Sequence, residues 1–314
     1  MVDLSKLSPK IRQYLEDSKE EYERFGQLSI SEKRKALPTM YPNPPPECPN
    51  YSIQDMDIEH DGMKVSIRLY QSPGKTPLPV IVYFHGGGWV LGSIESQDPF
   101  CRRICNTMDC HIINVGYRLS PENKYPAPID DGKAVLSWVL ANSCVYGFNI
   151  NKIILAGDSA GGNITAVLTV MFNEAHPNNR IYHQVPIYPV TDLTRFDRES
   201  YDLYAEGFGL SKAGMIWYVE QYLDDPKLAT DPKVSPIFED RFDLLSPTTV
   251  ISAGYDVLLS EGIAYAELLK KNGVPVTHIV FENMIHSYLR MAEMDPMAKD
   301  CINQTIQVFT ALCQ

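Results

Sequence analysis

Ser159 stands in a run of small residues, IILAGDSAGGN (153–163), that joins an apolar strand pattern to a tight turn and the start of a helix. The turn GDSAG (157–161) has the G-x-S-x-G spacing of a nucleophile elbow, which lifts the serine hydroxyl above the edge of a sheet. A turn that only packs tightly and a phosphate loop are the alternatives. The sequence has neither G-x-x-x-x-G-K-[S/T] nor a strand-borne G-x-G-x-x-G with a ribose-binding acid. We therefore predict that Ser159 is a nucleophile.

Two more residues have the types and the order that would activate a serine. A serine hydroxyl needs a general base that is oriented by a third group, and after this kind of elbow the acid precedes the histidine. Asp256 follows the apolar run 248–254 with one residue between them, and His286 lies in a loop just after the run 276–282. We predict these two as acid and base, against the alternative that they cap a helix or lie at the surface. The other histidines after Ser159 fall at a helix end or in strands: His176, His183 and His278.

Three consecutive glycines follow His85 in VYFHGGGWVLGS (82–93). Glycine loses more backbone entropy on folding than any other residue, so a triplet indicates that something approaches the backbone closely. A phosphate or an oxyanion would fit, and a nucleophilic serine favours the oxyanion. The donors would be the N–H groups of Gly87 and Gly88 together with that of Ala160, the residue after the nucleophile.

Strand and helix patterns alternate through most of the chain. Short apolar, mostly β-branched runs separated by helical stretches predict a mostly parallel sheet that is covered on both faces. The first strand run, 64–70, alternates apolar and polar residues as an outer antiparallel strand should. The other strand runs are 79–85, 111–117, 152–158, 184–190, 248–254 and 276–282, and the helical stretches lie near 97–108, 130–143, 161–175, 260–272 and 296–312.

Two segments lie outside this alternation. Residues 1–36 have the helical spacing of one or two amphipathic helices, and six prolines from Pro38 to Pro49 predict an extended connector after them. More than fifty residues separate YPVTD (188–192) from the next strand, which is too long for a crossover and predicts an inserted lid or binding wall. The predicted organisation is an arm at 1–45, a core at 46–192 and 236–314, and an insertion at 193–235.

Composition narrows the class of protein. The 314 residues carry a formal net charge of −11, which argues against nucleic acid or an anionic membrane as a partner. The charged N-terminus has no apolar signal region, and no apolar stretch has the length of a transmembrane helix, so we expect a soluble, cytoplasmic protein.

Seven scattered cysteines predict reduced thiols. Cys101, Cys105, Cys110 and His111 do not have a common zinc spacing, so we expect no metal. We expect Cys101 and Cys105 to share a helix face and Cys110 to close that helix.

Six ordered segments together resemble the hormone-sensitive-lipase-like family of α/β-hydrolase esterases over nearly the whole chain. They are HGGGW (85–89), YRLSPENKYPAPIDD (117–131), GDSAGGN (157–163), YPVTD (188–192), GYDVLLSEG (254–262) and the loop of His286. The resemblance implies an eight-stranded sheet, a cap built from the N-terminal helices and the insertion, and a homodimer. It also implies hydrolysis of small or short-acyl carboxylic esters without a cofactor, with His85 and the 117–131 segment supporting the oxyanion loop.

The chain departs from the family pattern beside the acid and the base. Val257 and Leu259 stand where the family usually has Pro and Arg, and Ser287 stands where it usually has Gly.

Two alternative functions remain open from the sequence. One is an amidase, lactonase, carbamate hydrolase or deacetylase with the same triad, and the other is a non-catalytic receptor similar to the plant gibberellin receptors. Trp89 and Tyr188 are candidate walls of the substrate pocket, although aromatic residues are more often core.

Overall fold

A single mixed sheet forms the centre of the molecule. The computed structural model describes residues 2–40, 43–60, 62–75 and 77–314. Within these ranges eight strands lie in the order β1-β2-β4-β3-β5-β6-β7-β8, which confirms the predicted fold class. The strands are β1 Ser52–His60, β2 Met63–Gln71, β3 Leu78–Phe84, β4 His111–Gly116, β5 Phe148–Asp158, β6 His183–Ile187, β7 Thr248–Tyr255 and β8 Val276–Ile285.

Strand direction follows the sequence patterns. The pairs β1–β2 and β2–β4 are antiparallel, and the remaining pairs are parallel. The run 64–70 is therefore an antiparallel strand, as expected. The residue patterns did not predict β1, because Asp55, Asp57 and Glu59 interrupt its apolar residues. These charges are compatible with a strand at the edge of the sheet, where one side faces water.

Helices cover both faces of the sheet. Along β3, Val80, Val82 and Phe84 pack on one side with residues of two helices, α5 (Ala127–Ala141) and α7 (Ala160–Ala175). Ile81 and Tyr83 pack on the other side with residues of α4 (Ile94–Cys105) and α11 (Pro296–Cys313). This division follows from the two-residue period of a strand. In the described ranges the helices are α1 Pro9–Asp17, α2 Lys19–Gln27, α3 Ile30–Met40, α4 Ile94–Cys105, α5 Ala127–Ala141, α6 Ser143–Tyr146, α7 Ala160–Ala175, α8 Glu199–Leu203, α9 Lys212–Tyr222, α10 Leu259–Lys271 and α11 Pro296–Cys313.

The N-terminal arm differs from its prediction. Three helices occupy it instead of one or two, and the expected extended connector does not start at Pro38, because α3 continues through Pro38 to Met40. A proline in the last turn removes one helical hydrogen bond but still allows the helix to end within two residues. The part of the connector at 41 and 42 lies outside the described residues. Leu7 and Ile11 anchor the arm in the core, since both are buried.

The cysteine cluster also differs in detail. The helix that carries Cys101 ends at Cys105, so Cys110 does not close it and instead precedes β4 directly. All seven cysteines are free thiols. Among the described residues there is no group of histidines, cysteines and carboxylates arranged to hold a metal ion. None of the helices in the described ranges combines the length and the apolar character needed to cross a bilayer.

Candidate active site

Ser159 sits alone between a strand and a helix. The strand β5 ends at Asp158, α7 begins at Ala160, and Ser159 between them has φ 56° and ψ −117°. Positive φ is unfavourable for a residue with a Cβ and is tolerated where the surroundings fix the backbone. A Cβ on Gly161 would collide with the Phe84 carbonyl, so only glycine allows the helix to start this close to β3. A strained residue between a strand and a helix is typical of a nucleophile elbow.

Hydrogen bonds connect Ser159 to the predicted base and acid. His286, the first residue after β8, places Nε2 3.1 Å from Ser159 Oγ and Nδ1 2.7 Å from Asp256 Oδ2. Asp256 is the first residue after β7, and its other carboxylate oxygen accepts the Leu258 N–H at 3.0 Å. With Nδ1 donating to the carboxylate, Nε2 is left as the acceptor that faces the serine hydroxyl. The three side chains are buried, with the serine and the histidine each 6% exposed.

The other histidines lie elsewhere in the fold. His183 Nε2 is 2.9 Å from Thr249 Oγ1, and His278 Nε2 is 3.0 Å from Ser252 Oγ, both between neighbouring strands. His176 follows the last residue of α7 and packs against Phe172. Of the histidines after Ser159, the structure therefore brings His286 to the serine and leaves these three apart from it.

The glycine triplet forms a loop that leaves β3 beside the elbow. Phe84 at the end of β3 pairs with Gly157 near the end of β5, so both chains leave the sheet at the same edge. The Gly86 N–H then donates to Asp158 Oδ1 at 3.0 Å, which ties the loop to the residue before the nucleophile. Gly87 and Gly88 have φ values of 118° and 60°. Glycine adopts such values without strain.

Ala160 contributes a donor of a different kind. It is the first residue of α7, and the N–H groups in the first turn of a helix have no partner within the helix. These groups also stand at the positive end of the helix dipole, which favours an anion. The predicted oxyanion donors therefore come from two elements, the loop after β3 and the start of α7.

Asp158 is a buried contributor that the sequence analysis did not single out. Burial raises the pKa of its carboxyl, and the positive charge of Arg290 opposes that rise. The Tyr83 hydroxyl donates to Asp158 Oδ1 at 3.0 Å, in addition to the Gly86 N–H. Its place inside the GDSAG turn was the only signal in the sequence. The side chain fixes the glycine loop against the elbow.

The two candidate pocket residues have well-defined neighbours. Trp89 is buried and stacks on Tyr222 of α9 with ring centroids 4.2 Å apart and an interplanar angle of 4°. Tyr188 is also buried, and its ring centroid lies 4.7 Å from that of His286. Both residues have positive φ, 60° and 33°. Tyr188 thus contacts the predicted base directly, whereas Trp89 joins the glycine loop to the insertion.

Tyr218 of α9 was not predicted from the sequence. Its ring lies directly on Gly88, since a Cβ at that position would collide with the ring carbons. The sequence predicted an insertion at 193–235 but could not show which of its side chains would meet the glycine loop. With Trp89 stacked on Tyr222 in the same helix, α9 covers the loop that carries the predicted oxyanion donors.

Comparisons with known proteins found a matching family model and several similar proteins. Residues 81–290 match the model of a family described as alpha/beta hydrolase fold. An AB hydrolase superfamily protein of Schizosaccharomyces pombe is 38% identical over 256 residues, which are 77% of this chain and 75% of that protein. An ethyl acetate hydrolase of Pseudomonas putida is 30% identical over 253 residues, 79% of this chain and 78% of that protein. The solved structure of a thermostable esterase from Pseudomonas putida has a TM-score of 0.90 and 27% identity, covering 100% of this chain and 99% of that one.

Proposed function

Since this chain belongs to the hormone-sensitive-lipase-like family of the alpha/beta hydrolase fold, we propose that it hydrolyses short-acyl carboxylic esters with Ser159 as its nucleophile. It is a serine carboxylesterase, as the names of two of its relatives, an ethyl acetate hydrolase and an esterase, support. The observation that carries the assignment of the nucleophile is the continuous hydrogen-bonded path from Ser159 through His286 to Asp256. Amide or lactone hydrolysis and ligand binding without turnover are not favoured by these relatives.

Catalysis would proceed in two halves. As Ser159 Oγ attacks the ester carbonyl carbon, His286 Nε2 accepts the hydroxyl proton, and Asp256 stabilises the resulting imidazolium. Collapse of the tetrahedral intermediate breaks the ester C–O bond, and the imidazolium gives its proton to the departing alcohol. A water molecule then attacks the acyl-enzyme, again with His286 as the base, and releases the acid and the free serine.

The oxyanion of each tetrahedral intermediate would be held by backbone donors. We assign this role to the N–H groups of Gly87, Gly88 and Ala160, which belong to a glycine loop and a helix start that adjoin the nucleophile. Fixed donors of this kind need no reorganisation as charge develops, and removing one costs on the order of 100- to 1,000-fold in rate. No cofactor takes part in this mechanism.

Enclosure of the site supports a small acyl group. Ser159 is only 6% exposed, and Tyr218 and Tyr222 of α9 pack on the loop that would hold the oxyanion. Helices α8 and α9 of the insertion, together with the arm, would form the cap. A net charge of −11 favours neutral or cationic esters over anionic ones. The named substrate of one relative, ethyl acetate, is of the size that we propose.

The test compares substitutions in the predicted triad with control substitutions elsewhere in the fold. Ser159→Ala and His286→Gln should each lower kcat on p-nitrophenyl acetate by on the order of 10⁴-fold or more. Asp256→Asn should also lower kcat by on the order of 10⁴-fold, as in other serine triads. The controls are His278→Gln, which lies within β8, and Glu293→Gln, which removes an exposed partner of Arg103. A Ser159→Ala enzyme that keeps more than about a tenth of kcat, against that expectation, excludes Ser159 as nucleophile.

Matching anilides measure the selectivity for the bond that is broken. An ester hydrolase should cleave p-nitrophenyl acetate far faster than p-nitroacetanilide, and equal rates would point to an amidase.

We also retain two predictions from the sequence, a cytoplasmic location and a homodimer. Cell fractionation and sedimentation of the purified protein test them independently of catalysis.

A further inference from the structure

Arg34 connects the N-terminal arm to the loop of the active site. From α3 its Nε donates to the Val90 carbonyl at 2.9 Å, and its Nη2 donates to the Ser120 carbonyl at 2.8 Å. The same guanidinium pairs with Glu122, with N–O distances of 2.9 and 2.7 Å. One side chain therefore reaches two loops of the core that are far apart in sequence.

The Val90 carbonyl belongs to the turn that carries the predicted oxyanion donors, and Ser120 lies in a second loop that is hydrogen-bonded to this turn. The Leu91 N–H donates to the Gly87 carbonyl at 2.8 Å, so the turn from Gly87 to Leu91 closes on itself. On its other side the Ser120 N–H donates to the Trp89 carbonyl at 2.9 Å. Arg34, Val90, Trp89 and Ser120 thus form a closed ring of hydrogen bonds around the turn.

The ring acts on a backbone that needs support. Trp89 has φ 60°. Such a conformation costs a non-glycine residue on the order of 1–3 kcal/mol and persists only where neighbours fix it. Val90 and Ser120 are fully buried, so a lost donor would leave their carbonyl groups without water to replace it. Removing Arg34 would then let the turn rearrange, and the N–H groups of Gly87 and Gly88 would turn with it.

We propose that Arg34 is a positioning residue for the oxyanion hole, through its hydrogen bonds to the Val90 and Ser120 carbonyls. The proposal rests on the proposed function, because it assigns to the arm a role in the same reaction. A guanidinium presents several donors in a rigid plane and can serve two carbonyls and a carboxylate together, which a lysine ammonium cannot do in the same geometry.

The two kinds of contact should differ in importance. Glu122 has a side chain that is 57% exposed. Exposed ion pairs contribute little to stability. The carbonyl contacts are made to buried backbone, where an unpaired acceptor is costly. Glu122→Gln therefore keeps the hydrogen bonds from Arg34 to the Val90 and Ser120 carbonyls. Arg34→Lys keeps the positive charge but loses the planar arrangement of donors that makes these two bonds.

The experiment compares Arg34→Lys and Arg34→Met with Lys35→Met, which removes a neighbouring exposed charge from the same helix. For the two Arg34 variants we expect kcat on p-nitrophenyl acetate to fall by about 10- to 100-fold, because misplacement of donors by about 1 Å costs on that order. KM should change less than about threefold, since the donors act mainly in the transition state. Affinity for a trifluoromethyl ketone, which forms an oxyanion on the enzyme, should fall in parallel with kcat. Lys35→Met and Glu122→Gln should stay near wild type in all three quantities.

The readouts separate positioning from a purely structural role. If an Arg34 variant has a lower melting temperature but wild-type kcat and trifluoromethyl ketone affinity, the proposal is wrong. Arg34→Lys, which keeps the apolar stem and the charge, decides the matter if Arg34→Met does not fold. Ser159→Ala distinguishes failure of the proposed function from failure of the role of Arg34. If esterase activity survives in Ser159→Ala, the proposed function is wrong. If Ser159→Ala is inactive but Arg34→Met is fully active, only the role of Arg34 is wrong.

Discussion

Ser200 Oγ of α8 donates to the Val257 carbonyl at 2.5 Å, immediately after Asp256, and so couples the insertion to the predicted catalytic acid. The Ser260 N–H donates to Ser200 Oγ at 3.1 Å, and the Ser200 N–H donates to Ser260 Oγ at 3.1 Å. Val257 is one of the positions where the chain departs from the family pattern. Three hydrogen bonds to Ser200 therefore hold the acid loop at the place where the usual proline and arginine are missing.

Ser200→Ala should lower both activity and stability. The change leaves the buried Val257 carbonyl without its donor, which costs about 1–3 kcal/mol. We expect kcat to fall about 5- to 20-fold, because a fraction of that energy orients Asp256, with a lower melting temperature. Steady-state kinetics and thermal unfolding measure the two effects. Ser137→Ala, which removes a hydroxyl bonded within α5, is the matched control and should leave kcat unchanged.

Two outcomes would separate these effects. Wild-type kcat in Ser200→Ala, together with a lower melting temperature, would show that the α8 contact stabilises the fold without orienting the acid. An equal loss of kcat in Ser137→Ala would show that removal of a hydroxyl is itself harmful, wherever it occurs. The coupling of α8 to the acid loop requires a loss of kcat in Ser200→Ala alone.

Glu261 should make the stability of the protein fall with rising pH. Burial raises the pKa of its carboxyl to about 8, against an opposing hydrogen bond from the Thr191 N–H and with a further rise from the charge of Asp192. The folded state therefore holds this proton to a higher pH than the unfolded state, whose carboxyl titrates near its ordinary value of 4.5. The free energy of unfolding should be highest below about pH 4.5 on this account, decline up to about pH 8, and then level off.

Glu261→Gln isolates that contribution, because an amide is uncharged and can still accept the Thr191 N–H bond. We expect the variant to be more stable than the wild type at pH 9 and to lose the advantage as the pH falls toward 5. Urea unfolding of both proteins at several pH values measures this difference in the free energy of unfolding. Asp158, whose pKa is also raised by burial, acts in the same direction in both proteins and cancels in the difference. Glu267→Gln on the exposed side of α10 should show no such pH dependence, and a difference that is constant with pH would contradict the prediction.

Ser287→Gly should stabilise the protein without loss of activity. Ser287 follows the predicted base and has φ 64° and ψ 20°. This is a left-handed conformation that glycine adopts freely. Its strain exceeds the backbone entropy that glycine loses on folding, so we expect a gain of about 0.5–1 kcal/mol in the free energy of unfolding. Urea unfolding and kcat measure the outcome. Ser287→Val, which is β-branched, should be less stable than the wild type, and a destabilised Ser287→Gly would contradict the prediction.

The sequence was most informative where one local pattern determines one local structure. The GDSAG turn predicted a strand–turn–helix at Ser159, and strand-end positions made Asp256 and His286 the candidate acid and base. The three side chains meet because parallel strands end at the same edge of the sheet. The fold class followed from alternating apolar runs. The β1 strand was not predicted because an edge strand can carry acidic residues on its exposed side.

Contacts between distant segments could not be predicted in this way. Arg34 looked like one more charge on an amphipathic helix, and Ser200 like a polar residue in a long insertion. Their partners are backbone carbonyl groups, which every residue has and which no residue pattern marks. The end of α3 was misplaced for a related reason, since a proline is tolerated in the last turn of a helix when the surrounding fold holds it.

Tyr218→Ala should widen the range of acyl groups. The ring of Tyr218 lies on Gly88, beside the proposed site of the reacting carbonyl, and we expect it to limit the space for an acyl chain. Removing it opens room for further methylene groups, each of which contributes about 0.8 kcal/mol when it is buried. We expect kcat/KM for p-nitrophenyl octanoate, relative to the acetate, to rise by about tenfold, the scale on which a pocket discriminates chain length. The kcat for the acetate itself should fall somewhat, because Gly88 loses a packing neighbour.

The control is Tyr182→Ala, which removes an exposed ring just before β6, at the opposite end of that strand from Tyr188. It should leave the ratio of octanoate to acetate kcat/KM unchanged. An unchanged ratio in a folded Tyr218→Ala would show that the acyl group lies away from α9, and the proposed wall of the pocket would then have to be sought beside Tyr188.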